Sequence, residues 1–108
     1  MTAHDDLMKA LENLIATLRS ADMWRVEEPS AAAFASQQPF CVDTMAMPQW
    51  LRYVFVARLE TLAETESPLP ASCDVAPAVD TYLKEAPSSV RRVVTDAVAE
   101  VDRVVTEA

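Results

Sequence analysis

Residues 37–59, QQPFCVDTMAMPQWLRYVFVARL, change character at Pro48. From Phe40 to Met47 the side chains follow neither a helical nor an alternating period, which predicts an ordered loop. Beyond Pro48, Leu51, Val54, Phe55, Leu59 and Leu62 recur at helical spacing, and Trp50, Tyr53, Val56 and Ala57 fill most of the remaining circumference. Pro48 suits the first turn of such a helix, where a missing N–H costs nothing. A helix apolar on nearly every side is enclosed on several sides. The segment therefore reads as the central helix of an all-α fold, ending near Thr65. Arg58 is out of place within it, and a shielded guanidinium calls for a carboxylate, with Asp43 or Glu28 as the partner to expect.

Three further helices follow from the same argument. Leu7, Leu11, Leu14 and Leu18 form a stripe broadened by Met8 and Ile15. Thr2 and Asp5 give that helix a capping box, so it should start near Asp5 and run to about Ala21. Val75, Val79, Tyr82 and Leu83 predict a shorter helix over 75–85. Val90, Val93, Val94, Ala97, Val98, Val101, Val104 and Val105 predict a last helix, capped by Ser88 or Ser89, in which period outranks the strand propensity of valine. Arg91, Arg92, Asp96, Glu100 and Arg103 make its solvated face, with Arg92 and Asp96 spaced to pair. Ser30 can cap a short helix over Ala31–Ser36. The expected architecture is a single domain, 1–108: a four-helix bundle with an irregular, Pro-punctuated loop and a short extra helix between the first two helices.

Composition agrees and excludes much. At 108 residues, such a chain buries roughly 65% of its unfolded surface without metal or disulfide. It has no glycine and seven prolines. Phosphate-binding loops, dinucleotide fingerprints, nucleophile elbows and tight hairpins all need glycine. Glycine helix caps are excluded too. The formal net charge of −8 argues against direct binding to nucleic acid or to an anionic membrane. No apolar run is long enough to span a bilayer. Cys41 and Cys73 have no CxxC spacing, and the acidic N-terminus lacks a targeting pattern, so the expectation is a cytoplasmic protein with reduced thiols.

Catalytic chemistry finds little to work with. His4 is the only histidine and belongs to a terminus expected to fray, which leaves no base for a serine or cysteine nucleophile. Two cysteines and one histidine without ligand spacing do not predict a zinc site. Asp5–Asp6 and Glu27–Glu28 are sequence neighbours rather than an acid/base pair, and Arg91–Arg92 reads as an outer helix face. No cofactor is expected. The remaining candidate is the loop itself, where Phe40, Met45, Met47 and Trp50 either roof the core or offer an adaptable apolar surface.

Trp24, Glu28–Pro29, Phe34, the run Gln38–Pro39–Phe40, the triplet Asp43–Thr44–Met45, Trp50–Leu51, Arg58 and Pro68–Leu69–Pro70 together resemble the YqcC-like family of small bacterial proteins. The resemblance implies a compact helical bundle and an association with a tRNA pseudouridine synthase. It carries no catalytic residue. Such synthases use an aspartate in a larger mixed α/β domain, and Asp43 does not correspond to it. Ala57 stands where the family often has proline, and Gln49 where it often has an acid.

The function expected from these residues is that of an accessory or interaction protein, not an enzyme. Its binding surface would be drawn from Trp24, Phe34, Gln38, Pro39, Phe40, Asp43, Thr44, Met45, Met47, Trp50 and Arg58. A tRNA pseudouridine synthase is the partner the resemblance implies, and self-association stays open. The alternative is a small-ligand bundle with its pocket under the 38–50 loop, between Trp24, Phe34 and Trp50.

Overall fold

The computed structural model describes residues 2–108. All regular structure among them is helical: α1 (Ala3–Ser20), α2 (47–64), α3 (Ala76–Tyr82) and α4 (Ser88–Thr106). The expected all-α bundle is what the chain forms. Thr2 Oγ accepts the Asp5 N–H at 3.1 Å and the Thr2 N–H donates back to the Asp5 carboxylate at 3.2 Å, so the capping box starts α1. His4 is not frayed. Its Nε2 donates to the Ser67 carbonyl at 2.7 Å and ties the start of α1 to the segment following α2.

α1 packs along α4 over a longer interface than along α2, so α2 is not the middle of the bundle. Leu7, Leu11, Leu14 and Leu18 meet Val94, Val98, Val101 and Val105, all buried. Each such side chain contributes about 1.5–3 kcal/mol relative to leaving it in water. α4 departs from expectation at three points. Val93 is exposed. Pro87, not Ser88 or Ser89, precedes the first turn, its carbonyl accepting from the Arg91 N–H at 3.0 Å. Both serines are already helical, so neither hydroxyl caps the helix. The expected Arg92–Asp96 pair does not form among the described residues. Instead Arg91 grips Asp80 of α3 with Nε at 2.7 Å and a terminal nitrogen at 3.1 Å.

α2 is helical throughout but changes pitch. Its middle, Leu51–Val56, is π-helical between α-helical ends. The buried positions Leu51, Phe55, Leu59 and Ala63 recur in steps of four, which a pitch of about 3.6 residues per turn cannot keep on one face. Widening the turn keeps them facing the core. It also sends Arg58 into solvent, and the expected ion pair with Asp43 or Glu28 is absent among the described residues. The second apolar face of α2 is covered by residues 22–46. The Tyr53 hydroxyl donates to the Val26 carbonyl at 3.1 Å and Arg52 to the Trp24 carbonyl at 2.7 Å. Gln49 accepts from the Ala46 N–H at 2.8 Å and donates to the Glu27 carbonyl at 2.9 Å. Both ends of its amide are used, and a carboxylate there could not make the second bond.

Two helices end in left-handed caps without glycine. After α1, Met23 N–H reaches the Leu18 carbonyl at 2.8 Å and Asp22 N–H the Arg19 carbonyl at 3.2 Å, with Asp22 at φ 63°. After α2, Ser67 and Glu66 repeat the pattern at 2.9 and 3.3 Å, with Glu66 at φ 49°. These are Schellman motifs. The missing glycine excludes the usual residue, not the motif. Between α1 and α2 the chain makes the expected Ser30-capped turn, here a 3₁₀ helix over Ala31–Ala35, and a second one over Pro39–Cys41 that sequence had placed in the loop.

Candidate functional site

The loop before α2 is built on an awkward backbone. Phe40 and Cys41 are consecutive and both left-handed, with φ of 59° and 50°. Such a conformation costs an L-residue roughly 1–2 kcal/mol, so the surroundings must impose it. The Phe40 ring stands edge-on to Trp50 with centroids 4.9 Å apart, and Trp50 stacks on Phe55 at 5.5 Å. The Cys41 carbonyl accepts from the N–H groups of Thr44 and Met45, both at 3.0 Å. Thr44 Oγ donates to the Ala33 carbonyl at 2.8 Å, and Asp43 accepts from the Ser36 hydroxyl. The double reversal buries Met45 and turns Val42 outward, 71% exposed.

Between this loop and α3 lies an apolar groove of about 480 Å³. Phe40, Met45 and Met47 line one side, with Ala78 and Tyr82 from α3 opposite and Val42 at its exposed edge. Tyr82, expected in the core stripe, is half exposed. Val79 and Leu83 take the buried face of α3, and a neighbour of Leu83 stands about 100° round the helix. No charged side chain lines the groove. It offers mainly apolar contact area, with the hydroxyls of Thr81 and Tyr82 among its lining groups.

The other candidate residues are dispersed. Phe34 and Arg58 share a shallow surface with Tyr53 and Ala57. Gln38 and Pro39 are exposed beside the Pro39–Cys41 turn. Trp24 lines a separate cleft with Arg19, Asp22, Arg25 and Arg52. Trp24, Phe34 and Trp50 therefore do not enclose a common pocket under the loop. Sequence had singled out Arg58 as the shielded guanidinium. It is Arg52, half-buried, that carries that role, and its partners are a carbonyl and the rings of Trp24 and Tyr53, at 4.6 and 5.0 Å.

Two polar groups of the α3–α4 corner also escaped the sequence reading. The buried Asp102 carboxylate accepts the N–H groups of Val75 and Ala76, each at 2.8 Å, and the Cys73 thiol at 3.1 Å. It caps the start of α3 from a different helix. Thr106 Oγ accepts the Cys73 N–H at 3.0 Å. Burial, then the neighbouring Asp102, pushes the Cys73 thiol up to about 12, so it stays protonated and unreactive at neutral pH. Both cysteines are free and half-buried. Among the described residues no group of three or more His, Cys, Asp or Glu side chains could hold a metal, and no helix is long and apolar enough to cross a membrane.

This arrangement has relatives. A family model described as tRNA pseudouridine synthase C matches residues 6–104. The uncharacterised protein YqcC of Escherichia coli is 42% identical over 77 residues, 71% of each chain. An uncharacterised protein of Haemophilus influenzae is 37% identical over 75 residues, 69% of this chain and 71% of its own. A tRNA pseudouridine synthase C of Pectobacterium carotovorum is 35% identical over 72 residues, 67% of this chain but 19% of that protein. The solution NMR structure of E. coli YqcC superposes with a TM-score of 0.85 at 33% identity, covering 99% of this chain and 91% of that one. The chain belongs to the YqcC-like family.

Proposed function

We propose that the protein is a cytoplasmic, non-catalytic accessory protein that docks a tRNA pseudouridine synthase in the groove between the 40–47 loop and α3. The observation that carries the reading is the groove itself. It is apolar, uncharged and bordered by Val42 and Tyr82, which expose large apolar surface to water. Isolated exposed apolar residues need no explanation, but a lined groove with two of them at its edge fits a partner's apolar side chains. The choice of partner is supported by the Pectobacterium synthase, in which a sequence like this one occupies about a fifth of a longer chain. A segment covalently joined to an enzyme in one organism fits a separate subunit that binds that enzyme in another. The small-ligand alternative loses its footing because its three aromatic residues do not share a pocket.

The test is the affinity of the purified protein for the purified synthase of the same cell. Wild type should bind with a dissociation constant of about 1 μM or tighter, and Val42→Asp should weaken binding about tenfold by burying a charge in the contact. Val42 is exposed, so the variant should fold as wild type does. Absence of binding at about 50 μM, or equal affinity for the variant, would rule the reading out.

A further inference from the structure

The cleft at the end of α1 concentrates positive charge on an acidic protein. The chain carries nine lysines and arginines against seventeen acids, yet Arg19, Arg25 and Arg52 converge on one depression of about 500 Å³ around Trp24. None of the three is in an ion pair among the described residues, whereas Arg91 and Arg103 are. Arg52 and Arg19 lie over the Trp24 ring at 4.6 and 5.8 Å. Arg52 spends one N–H on the Trp24 carbonyl, and a guanidinium has five.

The backbone is shaped to bring these groups together. Asp22, left-handed in the cap of α1, turns the chain so that Trp24 and Arg25 return beside Arg19. The π-helical stretch of α2 holds Arg52 opposite. Strained caps and π-helical turns occur often where a ligand is held. The formal charge of the lining is +3 from the arginines and −1 from Asp22, which matches a dianion. Planar guanidinium forks suit phosphate oxygens, and the volume is that of a small-molecule site. A nucleic-acid strand would need a longer basic track and would meet the repulsion of a net −8 protein.

We propose that the Arg19–Trp24–Arg25–Arg52 cleft binds the phosphate monoester dianion of a small metabolite, with the guanidiniums on its oxygens and the Trp24 indole against the adjoining carbon skeleton. The site is separate from the docking groove and does not depend on it.

Phenyl phosphate at pH 7.5 is the probe, followed by amide and indole NMR shifts. It should move the signals of residues 22–25 and 52 with a dissociation constant of about 1 mM or tighter. Arg25→Gln should weaken it about tenfold, the loss of a charge-assisted bond pair. Arg58→Gln makes the same charge change elsewhere and should alter it less than about twofold. Dimethyl phosphate and acetate, both monoanions, should bind at least about fivefold more weakly. No saturable shift, an equal effect of the two variants, or equal binding of acetate would overturn the proposal. So would a single-stranded oligoribonucleotide displacing phenyl phosphate at lower concentration, since the phosphate would then come from a strand.

Discussion

The α1–α4 pair and the segment 22–56 solve the same problem in different ways. The first is two regular helices whose buried residues follow a 3.6-residue period, held by leucine against valine. The second contains two 3₁₀ turns, three left-handed residues and a π-helical stretch. Its backbone is pinned by side chains of α2: Gln49, Arg52 and Tyr53 each donate to a carbonyl between Trp24 and Glu27. Apolar burial needs only a period, and the period is robust to detail. Irregular backbone needs specific donors for specific carbonyls. Both surface features with functional promise, the apolar groove and the arginine cleft, take most of their lining from the irregular part, completed by α3 in the groove and by Arg19 of α1 in the cleft.

The largest expected effect lies at the corner of the regular part. Asp102→Ala removes the acceptor of two buried N–H groups and should cost about 3 kcal/mol in urea unfolding. Asp102→Asn keeps an acceptor and should cost less than half of that. If the two variants are equally stable, Asp102 is not the cap of α3.

Tyr53→Phe breaks the irregular part alone. It removes the hydroxyl that holds the Val26 carbonyl and should cost about 1 kcal/mol. Amide exchange should speed up over 22–36 while α4 is unchanged. Exchange rising equally in both parts would mean that they unfold as one unit.

How much was legible divides along the same line. The helices, the α1 capping box, the Ser30 cap and most of the core stripes, Tyr82 and Val93 apart, followed from spacing, because each residue's place depends on neighbours three or four positions away. What sequence missed depends on partners far along the chain. Asp102 serves residues 75 and 76, His4 serves Ser67 and Arg91 serves Asp80. The error over Arg58 has one cause. A uniform helical period places it inward, and the wider turns at 51–56 place it outward. The loop was recognised as the place to look, but the cleft was not. Its arginines come from three separate segments, and only the turn at Asp22 assembles them.

Glu66→Gly tests the glycine-free caps. Glu66 sits at φ 49°, which glycine adopts freely, so the variant should gain about 0.5–1 kcal/mol despite the added freedom of its unfolded chain. A loss of stability would mean that the Glu66 side chain contributes more than its backbone costs.

At neutral pH the smallest effects belong to two titrating groups, whose contributions change only on the alkaline and acid limbs of the stability curve. The folded Cys73 thiol is raised from 9.0 to about 12, so its contribution is fully present below the unfolded value and declines as pH rises through 9 towards 12. Cys73→Ser should therefore flatten the alkaline limb of the stability curve. On the acid side, Arg91 holds Asp80 below its usual 3.8. The stability it contributes is present above that value and is lost as pH falls further, a loss that Asp80→Asn should abolish.

Hydrogen exchange of the protein, alone and with the purified tRNA pseudouridine synthase, tests most directly the claim that the irregular side carries the function. Slowed exchange over 40–47 and 76–82, with the exposed faces of α1 and α4 unaltered, is the result expected. Protection confined to α1 and α4, or none at saturating synthase, would contradict it.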